Sequence, residues 1–275
     1  MYSINGKVAL VSGSTMGLGR ELAMQLCMQG ASVILNGRDR ERLGRTLRDF
    51  EESGYNVTAV RGDISLPEDC RKMVEHCIKK FGRLDVLICN AGVSAGGAFA
   101  KTTPGTFRQV FEINTLGTIF LTSAALPHIV KSQGSIIFIS SLAGLLGLPF
   151  SSLYSSSKMA LTAVAQSLRT ELTGRNVHVG IIYAGFLKNA PEKRVLDPRG
   201  DLQPVGERNF FSVESMEKAG REIIRVIERR KNKIVLSPMG KSLYFILRFA
   251  PWLIWLFLRK NIKKARDIYE PGTEP

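Results

Sequence analysis

Short apolar runs alternate along the chain with longer segments whose apolar residues recur at helical spacing. The runs are solid rather than alternating, as in residues 135–139, which is typical of strands buried on both faces of a parallel sheet. Residues 20–29 instead place apolar side chains three and four positions apart, as an amphipathic helix does. The alternation predicts an α/β fold, a parallel sheet with helices on both faces.

The predicted strands are 7–11, 32–35, 56–60, 84–89, 135–139, 177–182 and 233–236. The predicted helices are 20–29, 40–52, 67–80, 106–130, 153–172 and 213–230. Residues 187–209 carry neither pattern and are polar and proline-containing, which predicts a long irregular insertion. Such an insertion is either a lid over a substrate or a surface loop.

A glycine-rich turn joins the first predicted strand to the first helix. It contains Gly13, Gly17 and Gly19, a spacing that differs from the usual G-x-G-x-x-G. Absent side chains let backbone N–H groups and the helix N-terminus approach a pyrophosphate. A turn needed only for packing is the alternative, but the strand–turn–helix context favours nucleotide binding.

The residues after the second strand favour NADP(H). An NAD site is expected to have an acid there, which binds the ribose hydroxyls. This chain has Gly37 at that point and Arg38 directly after it, and an arginine can pair bidentately with a 2′-phosphate. Asp39 leaves the alternative open, because a shift of one place would present its carboxylate. Asp63, at the end of the third strand, is expected to bind the adenine amino group.

Tyr154 and Lys158 lie one turn apart in a predicted helix and therefore share a face. A nearby ammonium favours the phenolate, so it lowers the tyrosine pKa from about 10 toward working pH. Such a phenol can give a proton to a carbonyl oxygen or take one from an alcohol. Ser141 can hold the same oxygen. The spacing alone is weak evidence, because any exposed helix can carry it.

The formal net charge is +14, from 38 basic and 24 acidic residues. No nucleic-acid motif accompanies the charge, so we expect no nucleic-acid partner. An anionic substrate, a phosphate-rich cofactor or a membrane surface fits the charge better, and a solvated basic surface is the alternative. The four cysteines have neither C-x-x-C nor metal-ligand spacing, which predicts no metal site and a reducing, cytoplasmic environment.

Six motifs in order make the chain similar to the short-chain dehydrogenase/reductase family, in its single-domain branch. They are SGSTMGLG at 12–19, the turn with Asp63, CNAG at 89–92, Asn114 in EINTLGT, Ser141, and YSSSK at 154–158. The resemblance covers residues 5–240. It implies a Rossmann-type, doubly wound sheet of about seven strands, and an oxidoreductase.

The resemblance also implies a catalytic set of Asn114, Ser141, Tyr154 and Lys158. Tyr154 would be the acid/base, Lys158 would lower its pKa and hold the nicotinamide ribose, and Ser141 would orient the substrate oxygen. Asn114 would anchor a water chain that links Lys158 to solvent. The implied cofactor-binding residues are Gly13, Ser14, Thr15, Gly17, Leu18, Gly19, Arg38, Asp63, Ile64, Asn90, Ala91, Gly92, Tyr154, Lys158, Gly185, Phe186, Leu187 and Asn189.

One departure from the family pattern follows the sixth strand. Family members usually have Pro-Gly there, and then a threonine that holds the nicotinamide carboxamide. Here Ala184 replaces the proline, and Asn189 stands where the threonine is expected. Asparagine can also hydrogen-bond an amide, so hydride chemistry remains available.

The C-terminal segment is unlike the rest of the chain. Residues 242–258 are strongly apolar and are followed by a basic stretch, 259–264. A spanning helix needs about 20 apolar residues, and this shorter run contains Arg248 and Pro251. We therefore expect an interfacial hairpin or two short amphipathic helices on a membrane surface, with Trp252 and Trp255 at headgroup depth. Packing on the domain or on a second subunit is the alternative.

The sequence thus predicts a dinucleotide-binding catalytic domain, 1–240, and a tail, 241–275. We expect an NADPH-dependent enzyme that reduces a ketone on a hydrophobic, lipid-like substrate, because apolar residues crowd 145–153 and small ones fill 94–97. The family resemblance extends to reductases of long-chain 3-keto lipids such as 3-ketodihydrosphingosine. A steroid or 3-oxoacyl carbonyl is the nearest alternative, and a non-catalytic NADP(H)-binding sensor or scaffold is another.

Family members are often homodimers or homotetramers, which implies the same here. The expected location is cytoplasmic, peripheral on the cytoplasmic face of a membrane.

Overall fold

The computed structural model describes residues 1–187, 193–204 and 213–269. In these ranges the strands are, in chain order, β1 (Val8–Val11), β2 (Ser32–Gly37), β3 (Val57–Arg61), β4 (Val86–Cys89), β5 (Ser94–Ala95), β6 (Ser135–Ser141), β7 (His178–Ala184), β8 (Arg194–Leu196), β9 (Leu202–Pro204) and β10 (Lys233–Val235). The helices are α1 (Gly17–Met28), α2 (Arg40–Glu52), α3 (Pro67–Phe81), α4 (Pro104–Phe111), α5 (Gly117–Ser132), α6 (Ser152–Glu171), α7 (Met216–Glu228), α8 (Pro238–Phe249), α9 (Pro251–Lys260) and α10 (Ile262–Tyr269).

The central sheet has seven parallel strands in the order β10-β7-β6-β4-β1-β2-β3. These are the seven predicted strands, so the predicted fold class is confirmed. Helices α1, α2 and α7 bury apolar side chains against one face, and α3, α5 and α6 against the other. Because helices cover both faces of the sheet, every residue of β1 and β4 is buried, which explains why these strands are apolar at every position.

The strand order reverses direction between β1 and β4. From β1 the chain moves outward through β2 and β3, then returns to β4 and moves the other way through β6 and β7. In open parallel sheets, ligands bind in the crevice at such a switch point, outside the carboxyl ends of the strands. The loops after β1 and β4 therefore lie side by side at the expected binding crevice.

A second, small sheet corrects the prediction that 187–209 is irregular. In the described part of that range, β8 and β9 form an antiparallel hairpin, and β8 pairs in parallel with β5. Leu196 of the hairpin is buried in an apolar cluster with Ala95, Val110 and Leu153. Strands of two or three residues are too short to show a hydrophobic period, so they could not be predicted from the sequence.

The predicted helix 106–130 is longer and less regular than expected. It begins at Pro104 and ends at Ser132, and the π-helical segment Glu112–Leu116 separates α4 from α5. By length and composition, Pro104–Ser132 could cross a membrane, but half of its most apolar part is buried inside the fold. The apolar tail forms α8 and α9, bent by 118° at Ala250 and Pro251, as expected of two short helices.

His178, at the start of β7, is expected to make the stability depend on pH. Its ring nitrogens lie 3.3 Å from Ser135 Oγ and 2.9 Å from the Lys231 carbonyl oxygen. Burial, aided by the charges of Arg230 and Arg169, lowers the pKa of His178 from 6.5 to about 4. The unfolded chain therefore binds a proton more readily than the folded one between those values, so stability falls as the pH drops through this window.

Between pH 7 and pH 5 this loss amounts to about 2 kcal/mol of unfolding free energy. The variant His178→Gln should lose that part of the pH dependence, as measured by urea unfolding at both pH values. An equal stability difference between the two pH values in both proteins would contradict the assignment.

Candidate active site

The loop after β1 is fixed to the end of β4 by side-chain hydrogen bonds. Ser12 Oγ accepts hydrogen bonds from the backbone N–H groups of Asn90 at 3.0 Å and Ala91 at 3.1 Å. The Asn90 side-chain amide donates back to the carbonyl oxygens of Ser12 and Gly13, both at 3.0 Å. The predicted cofactor residues Gly13, Asn90 and Ala91 are therefore brought together, and Asn90 contributes its side chain as well as its backbone.

The same loop is fixed to β2 by Asn36, a buried residue that the sequence analysis missed. Asn36 Oδ1 accepts from the Gly13 N–H at 3.1 Å, and its Nδ2 donates to the carbonyl oxygens of Val60 and Gly62, each at 3.2 Å. The Asn36 N–H also donates to Ser14 Oγ at 2.8 Å. Ser14 is fully buried, so its side chain serves the loop rather than the crevice.

Two glycines of the loop are required by close backbone contacts. Gly13 has a φ of +62°, and a Cβ there would lie 2.9 Å from the Ala91 Cα. A Cβ on Gly19 would lie 2.2 Å from the Gly13 carbonyl oxygen. Beyond them α1 begins at Gly17 and Leu18 with no side-chain cap and no acid in its first turn. This bare helix N-terminus at the switch point fits the pyrophosphate of a dinucleotide.

Arg38 lies at the end of β2 and is 60% exposed. Its Nη1 lies 3.3 Å from Asp63 Oδ2, and the other Asp63 oxygen accepts from the Ser65 N–H and hydroxyl. Burial raises the pKa of Asp63, but the Ser65 hydrogen bonds and the Arg38 charge outweigh it, so the pKa lies below its ordinary value. An ionised Asp63 thus positions the Arg38 guanidinium beside the crevice.

The neighbours of Arg38 have other roles. Asp39 is the N-cap of α2 and accepts from the Arg42 N–H at 2.9 Å, a hydrogen bond that lowers the pKa of the Asp39 carboxyl. Gly37 packs against Thr15 of the glycine loop, since a Cβ on Gly37 would lie 2.5 Å from Thr15 Cγ2. The Asp39 carboxylate is thus bound to its own helix, whereas the Arg38 guanidinium pairs with Asp63.

Lys158 and Asn114 lie together under the loop after β4. Lys158 is 6% exposed, and its Nζ donates to the Ile139 carbonyl oxygen at 3.1 Å. Burial lowers the pKa of Lys158 to about 8. A Cβ on Gly92 would lie 2.9 Å from Asn114 Oδ1 and 3.2 Å from Lys158 Nζ. Gly92 therefore leaves just enough room for both side chains.

The π-helical segment holds Asn114 in this position. Asn114 is fully buried, accepts from the Val93 N–H at 2.8 Å, and donates to the Val93 carbonyl oxygen at 2.9 Å. It also donates to Ser157 Oγ at 3.0 Å, and Thr115 Oγ1 donates to the Ser157 carbonyl oxygen at 3.0 Å. The widened helical turn thus attaches α4 and α5 to α6, and π-turns of this kind are frequent at functional sites.

Tyr154 lies one turn before Lys158 in α6 and is half-buried against the apolar cluster that contains Leu196. Ser141 ends β6, is half-buried, and accepts from the Ala143 N–H at 3.2 Å. Ser140 is instead buried and donates to the Lys158 carbonyl oxygen at 3.2 Å. The two serines have different environments, as the strand alternation predicts, and Ser141 is the one nearer solvent.

The other predicted cofactor residues that the structure describes lie at the same sheet edge or just below it. Gly185 follows β7, the Phe186 carbonyl oxygen accepts from the Glu214 N–H at 2.9 Å, and Leu187 bridges to Glu214. Ile64 is buried and packs against α5, so its side chain belongs to the core. Asn189 lies outside the described residues.

The small residues predicted to favour a hydrophobic substrate, 94–97, contact the β8–β9 hairpin. A Cβ on Gly97 would lie 2.2 Å from the Pro198 Cγ, because the β8–β9 hairpin packs directly on this segment. The Pro198 carbonyl oxygen also accepts from the Thr103 N–H and from Thr106 Oγ1. Small residues here allow the hairpin to approach closely, and the hairpin in turn supplies Leu196 to the apolar wall beside Tyr154.

Comparison with known proteins agrees with this architecture. A family model described as short chain dehydrogenase matches residues 7–198. The Arabidopsis thaliana protein "11-beta-hydroxysteroid dehydrogenase 1A" is 36% identical over 260 residues, which are 92% of this chain and 74% of the relative. The mouse protein "Dehydrogenase/reductase SDR family member 7B" is 30% identical over 269 residues, 96% of this chain and 83% of the relative.

Solved structures share the fold. A Burkholderia phymatum short-chain dehydrogenase/reductase in complex with NAD superposes with a TM-score of 0.78 over 100% of this chain and 99% of its own, at 22% identity. A variant of the actinorhodin polyketide ketoreductase with NADPH gives a TM-score of 0.65 over 68% of this chain and 73% of its own, at 29% identity.

We expect Gly13→Ala to disrupt nucleotide binding through a steric contact, not only through backbone strain. Gly54 provides a matched control, because it has a φ of +77° but nothing within 4 Å of an added Cβ. Each variant should lose about 1–2 kcal/mol of stability from the positive φ. Only Gly13→Ala should also lose measurable NADPH and NADH binding in a fluorescence titration. Equal nucleotide binding by the two variants would show that the contact between Gly13 and Ala91 is not needed for the proposed pyrophosphate site.

Proposed function

The chain belongs to the short-chain dehydrogenase family of oxidoreductases, and we propose that it reduces a ketone on an apolar, lipid-like substrate with NADPH as the hydride donor. The observation that carries this proposal is the juxtaposition around Gly92. Asn114 and Lys158 meet there, Tyr154 lies one helical turn away, and the glycine cradle contacts the same loop through Ala91. The glycine turn proposed to hold the dinucleotide and the residues proposed to transfer the proton thus pack against the same loop.

In the proposed reaction the bound dinucleotide supplies the hydride to the carbonyl carbon. Tyr154 donates its phenolic proton to the carbonyl oxygen, and Ser141 donates a hydrogen bond to the same oxygen. The Lys158 ammonium stabilises the phenolate that remains. Because burial brings the pKa of Lys158 to about 8, its amine exchanges protons close to physiological pH. Lys158 can then pass a proton to this phenolate, and Asn114, which keeps the chain at Val93 and Ser157 in place, anchors the path by which Lys158 regains a proton from solvent.

The preference for NADPH rests on the charges at the end of β2. Arg38 is exposed and positioned by the ionised Asp63, and position 37 carries no acid. Asp39, which would favour NAD if it faced the ribose, is occupied as the cap of α2. A guanidinium at this point can neutralise and hydrogen-bond a 2′-phosphate.

The apolar substrate is supported by the surroundings of Tyr154. Tyr154 packs against the apolar cluster of Ala95, Val110, Leu153 and Leu196, so a substrate reaching the phenol would lie against an apolar wall. A long-chain 3-keto lipid such as 3-ketodihydrosphingosine fits this environment. A steroid ketone is the second candidate, because relatives 36% identical to this chain are named 11-beta-hydroxysteroid dehydrogenases.

The direct test is NADPH oxidation with a panel of ketones: 3-ketodihydrosphingosine, a long-chain 3-oxoacyl thioester, an 11-ketosteroid and a small ketone. Turnover of one apolar ketone would identify the substrate class. NADPH binding without turnover of any of them would favour the sensor or scaffold alternative.

Tyr154→Phe should reduce turnover by roughly 10²- to 10⁴-fold, because the proton donor is lost. Cofactor binding should change little, since the ring and its apolar contacts remain. Steady-state kinetics and an NADPH titration on the same preparation separate the two effects. A parallel loss of both would mean that the hydroxyl has a structural role.

Arg38→Asp should weaken NADPH binding by roughly ten- to a hundredfold relative to NADH, because a charge-assisted contact is replaced by a repulsive one. Arg45→Asp is the matched control, since Arg45 is also 60% exposed and also pairs with a surface carboxylate, that of Glu41. The control should change the NADPH-to-NADH ratio by less than about twofold. Similar changes in both variants would show a general charge effect and remove Arg38 from the site.

A further inference from the structure

Helix α9 is apolar on all sides but is hardly covered by the rest of the chain. Ile254 is its buried residue, whereas Trp252, Trp255 and Phe257 are 61%, 70% and 62% exposed. A helix with apolar side chains all round is stable when an apolar medium surrounds it, as in a protein core or a membrane. Exposure of this many large apolar side chains on one short helix marks an interaction surface.

Helix α8 extends this surface from the other side of the bend. Leu243 and Tyr244 pack against the core, while Phe245 and Phe249 are 63% and 69% exposed. The Phe245 and Phe249 rings contact each other, with centroids 4.5 Å apart. We call the exposed aromatic residues Phe245, Phe249, Trp252, Trp255 and Phe257 the tail surface.

We propose that the tail surface docks on the interface of a membrane that contains anionic phospholipids. Residues 238–266 contain seven basic residues and no acidic one: Lys241, Arg248, Arg259, Lys260, Lys263, Lys264 and Arg266. Aromatic side chains that enter the acyl boundary and cations that remain among the headgroups are the two components of interfacial binding. Each basic residue near an anionic surface adds about 1 kcal/mol to that binding.

The same charges disfavour a second copy of the chain as the occupant. A two-fold contact through the tail surface would bring two sets of like charges together, and like charges repel at short range. An anionic lipid surface supplies the missing opposite charge. Docking of the tail surface does not depend on the reaction proposed above, because it requires only the exposure and charge of the tail.

The dimensions of the tail favour a position in the interface over a transmembrane one. At about 1.5 Å per residue, the 12 residues of α8 and the 10 of α9 extend about 18 and 15 Å, whereas the hydrocarbon core measures about 30 Å. The 118° bend between them also prevents the two helices from forming one straight span.

The tail surface is firmly attached to the catalytic domain. Ser237 Oγ accepts from the Gly240 N–H at 3.1 Å and thereby caps α8. Gly240 is buried, and a Cβ there would lie 2.9 Å from both Leu142 Cδ2 and Val235 Cγ1. Leu142 directly follows Ser141, so α8 starts beside the proposed active site and a docked tail would orient that site toward the membrane.

Tryptophan fluorescence can measure the docking directly, because both tryptophans of the chain lie in α9. The full-length protein is mixed with vesicles of phosphatidylcholine alone, or of phosphatidylcholine and phosphatidylserine, with bromine atoms on the acyl chains. We expect a blue shift and quenching of the emission with the anionic vesicles, and weakening of both by added salt. Unchanged emission with the anionic vesicles would overturn the proposal.

A variant pair tests the surface while keeping both tryptophans. Phe245→Ser combined with Phe249→Ser should lower the partition coefficient on anionic vesicles at least about tenfold, because two exposed rings no longer enter the membrane. Phe99→Ser is the matched control, since Phe99 is 66% exposed elsewhere on the domain, and it should bind like the unchanged protein.

Sedimentation of the same proteins without lipid distinguishes the membrane from a second copy. The proposal expects one oligomeric state for the unchanged protein and the double variant. Dissociation of the double variant, together with unchanged vesicle binding, would assign the tail surface to self-association and overturn the proposal.

Discussion

Three polar side chains, the buried Ser12 and Asn36 and the half-buried Asn90, fix the carboxyl ends of four parallel strands relative to one another. Strand ends carry backbone groups that the sheet no longer pairs, and buried groups of this kind need partners. By supplying them, these side chains hold Gly13 against Ala91. The next residue, Gly92, contacts both Asn114 and Lys158. The glycine turn proposed to hold a nucleotide and the residues proposed to transfer a proton are therefore fixed by one continuous set of contacts.

Much of the fold could be predicted because its strands are buried on both faces. Such strands must be solidly apolar, and runs such as Val86–Cys89 have few other interpretations. The β8–β9 hairpin could not be predicted, because its strands are three residues long and largely exposed, and it is held by pairing with Ser94–Ala95. The π-helical turn could not be predicted either, because the apolar spacing of residues 106–130 resembles that of an ordinary α-helix.

Some residues of the candidate site could likewise be predicted from the sequence, and others could not. Tyr154, Lys158 and the glycine turn have a spacing that sequence reveals, because helix periodicity and backbone approach impose it. Asn36 and Ser157 act through hydrogen bonds to residues distant in the chain, at separations of 23 and 43 positions, and neither role follows from a local spacing. A polar residue at the end of an apolar strand, such as Asn36 after Ile34 and Leu35, was the one available sign.

The contact between Gly37 and Thr15 has an evolutionary consequence. An acid at the end of β2 would need a Cβ 2.5 Å from Thr15 Cγ2, and a β-branched side chain has little freedom to move aside. If the chain prefers NADPH, as proposed, a change toward NAD through an acid at position 37 would first need a smaller residue at position 15. Two substitutions that succeed only in one order form an epistatic pair, and such pairs protect a nucleotide preference against drift by single mutations.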